Sequence, residues 1–447
     1  METLYDFLFT CGFIVASPFY FWKMWRRGDW KAGFSQRLGV FDTKIKQALT
    51  NRQILWMHAV SVGEMNVCIQ IVNALQPRLP NLKIVVSTTT TTAMGMLQKK
   101  LPPEVSKIYY PIDRYKYVSR SFQTIHPDAV VLVESEIWPN FMWRARSRRT
   151  PVMLVNARLS DRSFPRYKKL GFLFRPLFQQ FAAVGAQNDA DAEKLRQLGC
   201  RPDRVHVVGN LKFDAAGPAG QSSTAVTELL IKFGVDENSL VLVAGSTHDG
   251  EEKILAEIFL RLQKKFPKLF LVLVPRHFER AREVSKVLEA AGVKHVRKTH
   301  IESGRAEDLS SKVCLVVDTT GELRSFYERA TVTFVGKSLT AKGGQNPIEP
   351  AVLGKPVVFG PNMQNFADVT KIFTEQSAVI QVKDAVQLET CLAELLENPE
   401  KRAQLGRNAQ RVAIENQGAV AETVDIIVEQ LRQKDIYVQS SSTQNPK

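Results

Sequence analysis

A repeated alternation of short apolar runs with helical patterns constrains this chain more than any other feature. The runs fall at Ile54–His58, Ile84–Ser87, Ala129–Val133, Val152–Val155, Ala182–Gly185 and Val205–Val208. Fully apolar runs of this length, spaced by amphipathic segments, predict a parallel sheet with crossover helices. The stretch AAGPAGQSST, Ala215 to Thr224, then reads as a linker. The alternation restarts at Leu240–Ala244, Phe270–Val274, Cys314–Val317, Thr331–Val335 and Pro356–Phe359. A length of 447 residues is consistent with two domains. The expected division is an N-terminal segment 1–31, a first Rossmann-like domain 32–214, a linker 215–225, a second Rossmann-like domain 226–435 with closing helices, and a disordered tail 436–447. Doubly wound sheets bind ligands outside the carboxyl ends of their strands, so two such domains predict a cleft between those ends.

The N-terminus breaks the pattern. Phe7–Trp22 is apolar and aromatic, and Lys23, Arg26, Arg27 and Lys31 follow, with Trp22, Trp25 and Trp30 among them. Aromatic residues beside cations suit a membrane–water interface, and the cations favour retention of the rest of the chain in the cytoplasm. The run is short for a full span, which leaves a span, an interfacial anchor and a core helix as readings. On the anchor reading, the segment seats the protein on a membrane without building its site. The net charge is +15, and Arg144–Arg175 holds ten basic side chains against one acid, Asp161. That cluster reads either as solvated surface or as a seat for anionic partners. Cys11, Cys68, Cys200, Cys314 and Cys391 show no metal spacing and fit a reducing, cytosol-facing compartment.

Chemistry-bearing residues fall where the strands end. Ile54–His58 runs into AVSVGE, where Glu64 reads as a helix-capping acid or as a general base. Val133 runs into ESEIWPN, whose Glu134 and Glu136 should point to opposite sides by strand alternation; Glu134, nearer the strand, is slightly favoured. Lys212, in GNLKFD, sits beside a Gly-Asn turn and suits a phosphate or carboxylate. In the second half, Gly245, Ser246 and Thr247 form a polar turn before a helix N-terminus that favours anions, and His248 reads as a capping residue more than a ligand. Arg276 sits where a cation meets a phosphate. In KGGQNPIEP, two glycines permit close approach of a ligand, while Asn346 and Glu349 offer an amide and a carboxylate to a sugar, most simply a ribose. Asp189 and Asp191 have an Asp-x-Asp spacing that holds metals in some sugar transferases, but Asn188 before them makes first-turn capping the better reading.

These motifs, in order, resemble the 3-deoxy-D-manno-octulosonic acid (Kdo) transferases of lipopolysaccharide biosynthesis. The carriers are HAVSVGE (His58–Glu64), ESEIWPN (Glu134–Asn140), VNARLSDRSF (Val155–Phe164), GNLKFD (Gly209–Asp214), GSTHDGEE, VPRHFER, DTTGEL and GGQNPIEP. The resemblance covers almost the whole chain. It implies an α/β fold of the GT-B type, two Rossmann-like domains facing a cleft, with an N-terminal membrane-anchoring helix. It implies transfer of Kdo from CMP-Kdo to a lipid A precursor of the lipid IVA type, by a single displacement with inversion. The place implied is the cytoplasmic face of the inner membrane of a Gram-negative-type bacterium. By the same resemblance Glu64 is the catalytic base, and Glu134 and Lys212 support the transition state. Pro275, Arg276, Thr320, Gly321, Glu322, Asn346, Pro347, Ile348 and Glu349 are the CMP-binding positions. Gln345 stands where the family often carries His. No metal or other cofactor is expected, so activity should survive chelation. The expected partners are CMP-Kdo, the lipid A precursor and an anionic inner-membrane surface, with no nucleic acid. Two rivals are a different GT-B nucleotide-sugar enzyme and a non-enzymatic basic protein that binds membrane or nucleic acid. The second predicts steep salt dependence and leaves Glu64 and Glu134 unused.

Overall fold

The structure, a computed structural model, describes residues 1–26, 31–160, 163–214, 224–305, 308–434 and 436. It divides into two compact units. One comprises Met1–Ala215 with Gln417–Lys447, and the other Ala216–Asn416.

The first unit is built on a seven-stranded sheet: β1 Ile54–His58, β2 Lys83–Thr88, β3 Ser106–Tyr109, β4 Ala129–Val133, β5 Val152–Ala157, β6 Phe181–Ala186 and β7 Val205–Val207. The order is β3-β2-β1-β4-β5-β6-β7 and every pair is parallel. Strands β1 and β4 are buried on both faces, as central strands covered by helices must be. Leu55 and Met57 join one apolar cluster, while Ile54 and Trp56 join the other on the opposite face. Trp56 anchors that second cluster. Its ring lies 5.0 Å from Phe141 and 5.6 Å from Phe122, and its Nε1–H donates to Ser87 Oγ at 2.8 Å.

The second unit repeats the plan with β8 Leu240–Thr247, β9 Leu269–Pro275, β10 His295–Arg297, β11 Cys314–Val316, β12 Val332–Val335, β13 Val357–Phe359 and β14 Ile380–Gln381. The order β10-β11-β9-β8-β12-β13-β14 is again wholly parallel. In each sheet successive strands lead away in opposite directions from one point, between β1 and β4 and between β8 and β12, with β11 inserted between β9 and β10 in the second. A crevice opens at such a reversal because the two adjoining loops leave toward opposite faces.

Three differences from the sequence reading have physical causes. Strands β3, β10 and β14 went unread because they are short edge strands with sequences SKIY, HVR and IQ. A helix begins at Thr224, so the linker expected over 215–225 is shorter at its far end; residues 215–223 lie outside the described residues, as do 437–447 of the expected tail. The last helix, Ala419–Arg432, belongs to the first unit rather than the second. Its Val424, Ile427, Val428 and Leu431 enter the same cluster as Leu55 and Met57. Asp214 caps it from the GNLKFD loop, accepting from Gly418 N–H at 2.7 Å and Val420 N–H at 2.8 Å.

The apolar N-terminal run is one helix, Glu2–Arg26, with Pro18 inside it. Leu4, Phe7, Leu8, Ile14 and Val15 on it are exposed. Among the described residues no helix is long and apolar enough to cross a membrane. Arg27 and Trp30 of the expected basic, aromatic flank lie outside the described residues. The first turn of this helix is also fastened to the first unit: Tyr5 donates to Asp113 at 3.1 Å, and Asp6 accepts from Tyr115 N–H at 2.7 Å and from Asn140 Nδ2 at 2.9 Å. The segment is thus fastened into the first unit as well as carrying exposed apolar side chains.

Candidate active site

The reversal point of the first sheet brings three glutamates together. Glu64 enters from the loop after β1. Ser61 caps the Val62–Leu75 helix by accepting from Glu64 N–H at 3.2 Å, and Glu64 Oε2 accepts from Val60 N–H at 2.8 Å. This is a variant of the reciprocal Ser-x-x-Glu cap, reaching one residue further back than usual. The capping reading of Glu64 is therefore correct as structure, and it leaves room for chemistry. One carboxylate oxygen is fixed by a backbone donor. The other, Oε1, makes no hydrogen bond among the described residues.

Glu134 and Glu136 enter from the loop after β4. Glu134 N–H extends the ladder by donating to Val155 O at 2.9 Å, and its φ of 62° then turns the chain. That left-handed turn breaks the alternation on which the sequence reading relied, so Glu136 does not simply point away from Glu134's side. Glu136 Oε2 accepts from Trp138 Nε1–H at 3.0 Å. Burial pushes the Glu136 carboxyl up to about 7. The nearby charge of Glu64 and, more weakly, Glu134 push the same way, and the Trp138 donor opposes them. Glu136 is the site residue that sequence reasoning ranked second. Its surroundings, not its spacing, single it out, and only the Trp two residues later hinted at a partner. Beneath the cluster, His58 at the end of β1 is buried and stacks on Tyr110 at 3.7 Å, with Nδ1 facing Ser87 O and Oγ at 3.1 and 3.0 Å. Burial holds its pKa down to about 3, so it is a neutral support.

A chain of amides crosses the carboxyl ends of β5 to β7. Asn156, at φ 50°, accepts from Gln187 Nε2 through its carbonyl at 3.0 Å. Gln187 Oε1 accepts from Asn210 Nδ2 at 3.1 Å, and Asn210 Oδ1 accepts from Lys212 N–H at 3.1 Å. These bonds set the backbone at Lys212. Strand β7 lies four places along the sheet from β1, roughly 19 Å at the usual strand spacing. The loop after β7 does not stay at that edge: Leu211 N–H donates to Asn156 Oδ1 at 3.4 Å, which brings the backbone before Lys212 back to the end of β5. Asp191 is occupied by structure. Its Oδ1 accepts from Leu159 N–H at 3.0 Å, its Oδ2 from Asn188 Nδ2 at 2.9 Å, and its own N–H is capped by Asn188 at 2.8 Å. Among the described residues no three His, Cys, Asp or Glu side chains converge as a metal site requires.

The second sheet carries a different set at its reversal point. Arg276 N–H donates to Thr247 O at 3.0 Å, which places Pro275 and Arg276 beside the end of β8; Gly245, Ser246 and Thr247 are strand residues there rather than the turn expected from the sequence. Asn346 forms a local turn by accepting from Ile348 N–H at 3.0 Å, and its Nδ2 donates to Glu349 Oε1 at 3.2 Å. Burial raises the Glu349 carboxyl, while Asn346, Arg324 and Arg276 lower it. Arg276, Asn346 and Glu349 are thus brought together, with Pro347 and Ile348 between them and Arg324 as a member the sequence reading missed. The glycines serve otherwise than expected. Gly343 and Gly344 have φ of 124° and 72°, and a Cβ on Gly344 would meet Met363 Sδ at 2.5 Å. They face protein rather than a ligand. Thr320 and Gly321 form an exposed turn after β11, with Gly321 at φ 90°. Glu322 pairs with Lys298 at 3.0 Å and with Thr319, so its carboxylate is tied to the neighbouring edge of the sheet.

Glu251 was not singled out by sequence and is fully buried. It accepts from four backbone N–H groups: His248 at 2.9 Å, Lys337 at 2.7 Å, Ser338 at 2.8 Å and Leu339 at 2.9 Å. One carboxylate thereby clamps the loop after β12 to the loop after β8. Lys337 and Arg280 lie near His248 and, together with burial, hold its pKa below the usual range.

Comparison with known proteins agrees with both halves. Residues 32–215 match the family described as 3-deoxy-D-manno-octulosonic-acid transferase (kdotransferase), and residues 253–412 match glycosyl transferases group 1. The chain is 30% identical over 381 residues to the 3-deoxy-D-manno-octulosonic acid transferase of Haemophilus influenzae, covering 84% of this chain and 86% of that one. It is 29% identical over 425 residues to the enzyme of the same name from Bordetella pertussis, covering 92% and 96%. Among solved structures, UDP-GlcNAc 2-epimerase from Neisseria meningitidis has a TM-score of 0.55 at 17% identity, covering 84% of this chain and all of that one. That likeness bears on the fold alone and agrees with an α/β fold of the GT-B type. The chain belongs to the 3-deoxy-D-manno-octulosonic acid transferase family and is a glycosyltransferase of lipopolysaccharide biosynthesis.

Proposed function

We propose that this enzyme moves Kdo from CMP-Kdo to a sugar hydroxyl of a lipid A precursor of the lipid IVA type, in one displacement with inversion. The observation that carries the reading is the convergence of Glu64, Glu134 and Glu136 at the reversal point of the first sheet. A sugar hydroxyl is a poor nucleophile until a base takes its proton in the transition state. Glu64 suits that role, because Val60 N–H orients its carboxylate through Oε2 and leaves Oε1 for the acceptor. Glu134 shapes the loop beside it. Glu136, whose carboxyl is pushed up to about 7, is suited to hold a proton and to hydrogen-bond the acceptor sugar.

The donor belongs to the second unit. Glu349, held by Asn346, presents a carboxylate to the ribose hydroxyls, and Arg276 meets the phosphate. Thr320 and Gly321 offer an open turn to the nucleotide, whereas Glu322 acts through Lys298. Lys212 keeps the part in supporting the transition state that the family resemblance implies. No metal or other cofactor is invoked, since these cations can neutralise the leaving phosphate. The exposed apolar residues of the Glu2–Arg26 helix and the basic cluster Arg144–Arg175 suit the cytoplasmic face of the inner membrane, with the helix lying in the interface rather than crossing it. Mass spectrometry of the product formed from CMP-Kdo and a lipid A precursor tests the reading. An adduct of one or more Kdo residues is expected. Transfer from a UDP-sugar with none from CMP-Kdo would overturn it in favour of another GT-B activity.

A further inference from the structure

The loop that carries Glu134 and Glu136 is supported from behind by the N-terminal helix. That loop leads directly into the helix Pro139–Ser147, whose own cap position, Trp138, makes no side-chain cap. Its first N–H groups need acceptors from elsewhere. Asp113, in the loop after β3, supplies them: Oδ2 accepts from Asn140 N–H at 3.1 Å and Oδ1 from Phe141 N–H at 2.9 Å. The Asp113 carbonyl accepts from Asn140 Nδ2 at 2.7 Å. Asp113 is nearly fully buried, and its remaining contact runs outward to Tyr5 OH at 3.1 Å. Asp6 Oδ1 accepts from the same Asn140 Nδ2 at 2.9 Å and from Tyr115 N–H at 2.7 Å. The Tyr5 ring stands edge-on to Trp143 at 5.5 Å. A helix that only seats a protein on lipid needs apolar side chains. Here two polar side chains of the first turn face the protein, while Leu4, Phe7 and Leu8 beside them face outward.

We propose that Tyr5 and Asp6 are positioning residues, which hold Asp113 and Asn140 and through them set the Glu134–Trp138 segment for transfer. Trp138 is the last link, because its indole donates to Glu136. The proposal rests on the reading that the glutamate cluster is the site of transfer. It adds that the protein-facing side of the helix is joined through Asp113 and Asn140 to the segment that carries the acids, so that the N-terminus acts on turnover as well as on location.

The test uses the full chain in detergent with a detergent-dispersed lipid A precursor, so that recruitment to a membrane plays no part. The double variant Tyr5→Phe, Asp6→Ala should lose about tenfold in kcat, the scale of a slight misplacement of reacting groups. Its KM for CMP-Kdo and its sedimentation with anionic vesicles should not change. Asp6→Asn keeps an oxygen for both donors and should retain at least half of the wild-type kcat. The proposal is overturned by a wild-type kcat in the double variant. It is also overturned if the loss matches the fraction of protein unfolded, read by thermal melting, or if Asp6→Asn falls as far as Asp6→Ala. Glu64→Gln, run alongside, separates this from the underlying reading. If it is inactive while the double variant is normal, only the positioning role fails. If it is active, the assignment of the site fails.

Discussion

The two sheets are both seven-stranded and wholly parallel, and they differ in how each treats the acids at its reversal point. In the first unit Glu64, Glu134 and Glu136 crowd one another, and Glu136 has only an indole donor to offset that company. In the second unit Glu251 is saturated by four backbone N–H groups, and Glu349 lies beside Asn346, Arg276 and Arg324. Burial and the neighbouring acid charges raise the Glu136 carboxyl, whereas burial raises that of Glu349 against the pull of Asn346, Arg324 and Arg276. On the proposed function, the first end exchanges a proton with a neutral hydroxyl and the second holds a charged nucleotide. The same residue type stands among acids in one unit and among donors and cations in the other.

The largest effect that would sharpen this contrast is expected at Glu251. Glu251→Ala leaves four backbone donors, that of Ser338 buried, without their acceptor and should destabilise the second unit by roughly 3–5 kcal/mol. Urea unfolding should show that loss together with loss of CMP binding. A variant of normal stability would mean that the clamp is redundant. Arg276→Ala comes next, with CMP affinity expected to fall roughly tenfold to a hundredfold by calorimetry. Unchanged affinity would remove Arg276 from the phosphate.

The smallest effect concerns pH and Glu136. Its folded pKa of about 7 lies above the ordinary 4.5, so the folded state binds the proton more tightly than the unfolded chain. The associated stability is fully present below about pH 4.5 and is lost as the pH rises through about 7. Asp113, pushed up to about 7 chiefly by burial, acts with the same sign. Glu136→Gln should therefore reduce the fall in stability between pH 5 and pH 8, by on the order of 1–2 kcal/mol, without abolishing it. An unaltered slope would show that Glu136 is not crowded as described.

Much of the fold was legible because interior strands of a parallel sheet must be apolar throughout. Ala129–Val133 reads as a strand from its composition alone. Edge strands carry no such demand, so His295–Arg297 gave no signal. The return of Ala419–Arg432 to the first unit depends on Asp214, more than two hundred residues earlier, and no local pattern encodes that contact. Within the site, Glu64 could be placed because a cap motif and a strand end coincide. Glu136 was ranked below Glu134 because Glu134 stands nearer the strand end, and strand spacing carries no sign of the left-handed turn at Glu134. Tyr5 and Asp6 stand just before the Phe7–Trp22 run, whose apolar character dominated the reading of the whole segment.

The central claim is that proton removal belongs to the first unit and nucleotide binding to the second. Glu64→Gln tests it most directly, with CMP affinity measured by calorimetry and transfer measured in a single turnover at saturating CMP-Kdo. Wild-type CMP affinity with transfer slowed at least about a hundredfold is the expected result. Transfer at the wild-type rate, or loss of CMP binding in step with loss of transfer, would contradict it.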